Sequence, residues 1–203
     1  MATLLQDIVA LLAISNPLGA LPLFIGITEG LTSAERSRAA LRAALASTAI
    51  LSAVTVAGRP VLGAFGISMP ALQAAGGLVI LLMGLEMLHG APTKVQHDDE
   101  GQQSAADRIL VPLAMPLLAG PGAITTVLTL SSRAATWAET MMLLVAVFML
   151  GMIIAAILLS ASRLGTLLGI RGQRILLRFM GLILAAVGAE ILLAGVYTFV
   201  PRS

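Results

Sequence analysis

Ser15-Asn16-Pro17-Leu18-Gly19-Ala20-Leu21-Pro22 interrupts an apolar stretch long enough to cross a bilayer, and Ala119-Gly120-Pro121-Gly122-Ala123 interrupts a second one about one hundred residues later. Proline removes a backbone donor and clashes with the preceding helical turn, and glycine accepts backbone angles that other residues resist, so neither stretch is expected to form one continuous helix. Each break frees polar backbone groups. In hydrocarbon such groups are tolerated where they are buried in protein or line a wet cavity, and the two breaks therefore read together as one binding site.

The composition supports a membrane setting. Apolar types make up 58% of the 203 residues and charged types 11%, with a mean hydropathy of +1.00, beyond the balance of a soluble domain. At about 20 residues per span, the length allows six spans and no separate catalytic domain. Cysteine is absent, which removes disulfides, thiolate metal sites and cysteine nucleophiles. The high pI comes from few charges and many arginines; with 3% aromatic residues, a nucleic-acid partner is not expected. The first 28 residues hold no Lys or Arg, so the basic leader of a signal peptide is missing and the first span is expected to remain in the mature protein.

Along the chain, a broken span is expected over 4–31, clean spans over 41–56 and 70–88, a polar linker over 91–108, a second broken span over 109–130, and clean spans over 141–159 and 175–200. Thr32 and Glu35 spell a capping box at the start of the second span, and Arg59-Pro60 is expected to close it. The halves resemble one another. Gly77-Leu78-Val79-Ile80 aligns with Gly181-Leu182-Ile183-Leu184, placing Gly84 over Gly188 and Glu86 over Glu190, and an offset one residue shorter places Gly19-Ala20 over Gly122-Ala123. The expected fold is an all-α membrane protein, one domain over 1–203, with repeat one at 1–90 and repeat two at 109–203. Three spans per repeat make the second copy inverted, as in many secondary transporters. Arg36, Arg38, Arg42, Lys94, Arg108, Arg163, Arg171, Arg174 and Arg178 then share one side, against Arg59, Arg133 and Arg202 on the other. Because basic loops stay in the cytoplasm, both termini are expected outside a bacterial or archaeal cytoplasmic membrane.

With these residues in view, the two stretches from Asn16 to Phe24 and from Met115 to Thr126 resemble the signature stretches of the MarC family of six-span inner-membrane proteins. The resemblance covers the whole chain in span number, linker and breaks. It implies kinship with LysE-type exporters and transport of small neutral amino acids such as glycine and alanine, coupled to a proton or another cation. One departure is visible: many relatives carry an acidic residue before the first proline and an amide after the following glycine, where this chain has Asn16 and Ala20.

A zwitterionic solute needs donors for its carboxylate, acceptors for its ammonium group and a small pocket. Half-helix N-termini supply amide hydrogens and C-terminal ends supply carbonyls. Gly19, Gly120 and Gly122, with Pro17 and Pro121 making the breaks, would let the solute approach the backbone, and Ser15, Asn16, Thr125 and Thr126 would add side-chain contacts. The plainer alternative is that the prolines only kink two helices and the hydroxyls bond to their own backbone. Glu86 and Glu190 are matched carboxylates whose desolvation favours the neutral form, which makes them candidates for ion coupling; Glu86, near a span end, reads equally as an interfacial anchor. The remaining glycines of the third and sixth spans read as helix-packing residues. His89 and His97 suggest no metal site, no cofactor is implied, and an enzyme is not expected because no histidine lies inside a span. A carrier, a passive channel and a non-transporting scaffold remain as classes, and oligomeric state is not legible.

Overall fold

The computed structural model describes residues 2–89 and 118–199. The linker expected over 91–108, and the first part of the broken span expected over 109–130, lie outside the described residues. Within them the fold is helical throughout: α1 (Ala2–Ser15), α2 (Pro17–Ile27), α3 (Ser33–Ala64), α4 (Met69–His89), α5 (Pro121–Arg133), α6 (Trp137–Leu159) and α7 (Ala161–Phe199). Among these residues five helical stretches are long and apolar enough to cross a membrane, with α1 and α2 together making the first over Leu4–Ile27.

Helix starts follow local chemistry. Proline occupies the first turn of both α2 and α5, where its missing donor costs nothing and its fixed φ suits the helix. Thr32 and Glu35 form the expected capping box at α3, and Thr136 and Glu139 form a second one at α6. The first break is narrower than expected, since only Asn16 leaves the helical path and Pro22 lies inside α2. Likewise Arg59-Pro60 does not close α3. The helix of 32 residues continues through Pro60 to Ala64, about 48 Å in all. That exceeds a hydrocarbon core of about 30 Å, so the carbonyl that Pro60 leaves without a donor can lie where water reaches it. The basic segment before the last span is also helical, with one interruption at Gly169, whose φ of 56° and ψ of 179° break α7.

The core lies where α1, α2 and α5 meet the inner faces of α3, α4, α6 and α7, and it includes Leu11, Phe24, Leu51, Ile80, Val127, Leu150 and Ile154. The closest helix pair is α4 with α7. A Cβ on Gly77 would lie 2.8 Å from the carbonyl oxygen of Gly188, and one on Gly84 would lie 2.7 Å from that of Gly181. Further along, Gly195 faces Pro70 and Ala74, so the two helices run antiparallel. Glycine permits this approach, which side chains would hold apart. One end of the bundle is tied by Arg36, which donates to Ser162 Oγ at 2.5 Å and to the Thr28 carbonyl at 3.2 Å.

Candidate functional site

The first break is a single left-handed residue. Asn16 has φ 42° and ψ 55°, a conformation that asparagine tolerates because its short amide can bond locally. Its backbone N–H still bonds Leu12 O at 3.0 Å, and its carbonyl accepts from Ala20 N at 3.1 Å, so hydrogen bonding continues across the bend. Its side-chain Oδ1 accepts from Gly19 N at 3.1 Å and caps α2. The Nδ2 group points instead at Met87 Sδ, 3.8 Å away on α4. Ser15 and Asn16 are both buried, and Ser15 Oγ has no hydrogen-bond partner among the described residues. Gly19 leaves room for two side chains: a Cβ there would sit 2.7 Å from Met87 Cε and 2.8 Å from Asn16 Cγ.

The second break is built differently. Gly120 precedes α5 in an extended conformation, Pro121 follows, and no side chain caps the helix. Beside it lies a cavity of about 10 Å³, lined by Ile14, Ile80, Met83, Gly120, Gly122, Ala123 and Leu184. That volume suits one water and is smaller than any amino acid. A Cβ on Gly122 would intrude on it, 2.5 Å from Ile80 Cγ1 and 3.2 Å from Ile14 Cγ2.

The fold brings the two breaks together. Ile14, two residues before Asn16, reaches Gly122, and α4 runs past both, with Ile80 against Gly122 and Met87 against Gly19. Seven helical residues separate those two contacts, which is about 10 Å along the axis. The hydroxyls follow the plainer expectation in part. Thr126 donates to its own helix at Gly122 O, 3.0 Å away, while buried Thr125 packs against Gly76. Pro17 is buried in the first break and Pro121 is exposed.

Glu86 and Glu190 do not join this arrangement. Both are exposed on outer faces of α4 and α7, because the inward stripe of α4 carries Ile80, Gly84 and Met87, and Glu86 lies about 100° around the helix from Met87. The sequence reading missed the apolar half of the site, namely Ile14, Ile80, Met83, Met87 and Leu184. The available signal was the spacing of Ile80, Met83, Gly84 and Met87 on one helical face.

The whole chain has clear relatives. The model of a family described as MarC family integral membrane protein matches residues 1–200. The chain is 36% identical over 189 residues to a UPF0056 membrane protein of Methanocaldococcus jannaschii, covering 92% of each. It is 36% identical over 200 residues to the UPF0056 membrane protein YvbG of Bacillus subtilis, covering 95% of this chain and 93% of that one. Against the UPF0056 inner membrane protein MarC of Escherichia coli the identity is 31% over 202 residues, covering 93% and 91%. No solved structure matches it.

Proposed function

Because the chain belongs to the MarC family of integral membrane proteins, we propose that it is a transporter of small neutral amino acids of the size of glycine and alanine, with its solute site between the two breaks. The observation that carries this reading is that Ile14, just before the bend at Asn16, meets Gly120 and Gly122 at the start of α5 around a small cavity. Broken helices inside an apolar bundle are costly unless they line a site. Because the cavity is of water size, the solute would enter only as helices part.

The same reading includes six spans in two inverted repeats, related to LysE-type exporters, in the cytoplasmic membrane with both termini outside. Support for the repeat comes from register. Pro17 and Pro121 begin α2 and α5, and Thr32 and Thr136 begin capping boxes at α3 and α6, each pair 104 residues apart, as are Gly77 and Gly181. The antiparallel course of α4 and α7 is the relation that inverted copies require.

A second reading, a passive facilitator, is favoured by one observation: among the described residues, those lining the cavity are apolar side chains and glycines. Uptake of labelled glycine and alanine into proteoliposomes, with and without a pH gradient, separates the two. Gradient-driven accumulation lost in Glu190→Gln supports a proton-coupled carrier. Accumulation untouched by that change removes Glu190 from coupling, and equilibration without accumulation favours the facilitator. No uptake of either solute would sink the amino-acid reading, and normal uptake in both Asn16→Leu and Gly122→Leu would remove the breaks as the site.

A further inference from the structure

The two breaks are closed by different means. At the second, Gly122 borders a cavity; at the first, the corresponding space beside Gly19 is filled by the thioether end of Met87 and the amide of Asn16. Met87 is 4% exposed although it lies two residues from the end of α4, and its Cβ is wedged against Gly181 of α7.

The hydrogen bonding around that thioether is incomplete. A thioether is a weak acceptor, yet Met87 Sδ is the group the buried Asn16 Nδ2 addresses, at 3.8 Å. One residue before Asn16 in the chain, Ser15 Oγ is fully buried without a partner among the described residues. Five other buried hydroxyls bond within their own helices. Thr28, Ser47, Thr55, Thr126 and Ser131 each donate to a carbonyl three or four residues back in their own helix. Buried donors ordinarily find acceptors; here Asn16 Nδ2 has a thioether for its acceptor and Ser15 Oγ has none among the described residues.

We infer that Met87 is a displaceable plug at the first break, whose sulfur and methyl group occupy the position of the solute's acceptor group, a carboxylate oxygen, when the site is empty. This rests on the transport reading and deepens it. Methionine suits the role, because its unbranched chain and three rotatable bonds let it swing without moving the helix. The plug also bears on solute size, since the volume that the Met87 side chain vacates adds to the space open to the solute.

The test uses the full chain in proteoliposomes with labelled glycine and labelled leucine. Met87→Ala is expected to raise leucine uptake about tenfold relative to glycine, while Met87→Leu, which keeps the bulk, holds the wild-type ratio. An unchanged ratio in Met87→Ala, with glycine uptake intact in the wild type, overturns the plug and leaves the transport reading standing. If Met87→Ala does not fold, the wild-type protein labelled at its methionine methyl carbons answers instead. The Met87 resonance, identified by its loss in Met87→Leu, should shift on adding glycine, and a resonance unmoved at glycine concentrations that saturate uptake overturns the plug. Absence of uptake in the wild type, with that resonance also unmoved by glycine and alanine, removes both the plug and the amino-acid reading.

Discussion

Gly77 of α4 and Gly188 of α7 face one another reciprocally: a Cβ on Gly77 would lie 2.8 Å from Gly188 O, and a Cβ on Gly188 would lie 2.9 Å from Gly77 O. Gly84 and Gly181 repeat the relation at 2.7 and 2.9 Å. Under an offset of 104 residues, Gly77 corresponds to Gly181 and Gly84 to Gly188. Each glycine thus meets the counterpart of the other, the pattern of a self-complementary two-fold contact. Within one chain, that pattern accords with two copies of a three-helix unit packed against each other.

The atoms facing this seam are backbone, which cannot rotate away as a side chain can. Gly77→Ala and Gly188→Ala should therefore each destabilise the protein by about 1–3 kcal/mol, read as a lowered melting temperature in detergent. Gly26→Ala, where nothing lies within 4 Å of the added atom, should leave the melting temperature unchanged or raise it, as alanine favours helix over glycine by up to about 1 kcal/mol. Equal effects at all three positions would remove the seam as a structural determinant.

At the first break, cap and conformation can be separated. Asn16→Gly keeps the left-handed angle and loses the cap to Gly19 N, a cost of a few tenths of a kcal/mol on typical scales. Asn16→Leu loses the cap and places a branched side chain at φ 42°, costing about 2 kcal/mol from both effects together. The melting temperatures should fall in that order. If Asn16→Leu is as stable as Asn16→Gly, the bend does not depend on asparagine.

Much of this architecture is legible in the sequence. Thr32 and Glu35 announce a helix start by hydrogen-bonding chemistry that needs no tertiary contact, and the same letters recur at Thr136 and Glu139, ahead of the span expected from 141. The prolines are only half legible. Pro17 and Pro121 start helices, whereas Pro22 and Pro60 sit inside them, and which outcome holds depends on whether another group can serve the freed carbonyl. Gly77 and Gly84 can be assigned to close packing from sequence, but their partners cannot, because partner choice depends on how helices assemble in space. Met87 is the least legible, since a methionine on an apolar face looks like any core residue until Asn16 is found opposite it.

Sidedness offers a direct check, helped by the absence of cysteine from the chain. Arg36 bonds Ser162, so the start of α3 and the start of α7 share one end of the bundle, the end expected in the cytoplasm. Single cysteines at Ser37 and Arg163 should react with a membrane-impermeant maleimide only after permeabilisation. Cysteines at Arg133 and Thr136 should react in intact cells. The reverse pattern would invert the orientation, and mixed labelling at Ser37 and Arg163 would contradict their common side.

On α3, Thr48 meets Gly151 of α6, and a Cβ on Gly151 would press on Thr48 Oγ1 while standing 3.3 Å from Thr48 Cβ. The hydroxyl cannot turn away freely, because it donates to Ala44 O at 2.8 Å. These two positions are 103 residues apart, close to the 104-residue offset of the proposed repeat, so near-equivalent positions touch each other. Gly151→Ala should destabilise by about 1–3 kcal/mol. Thr48→Ala removes the pressing oxygen and leaves only the 3.3 Å contact, so the double variant should recover most of the loss. A coupling energy of about 0.5–3 kcal/mol in the double-mutant cycle is the expected signature of direct contact. Simple additivity of the two changes would mean that α3 and α6 do not meet at this point.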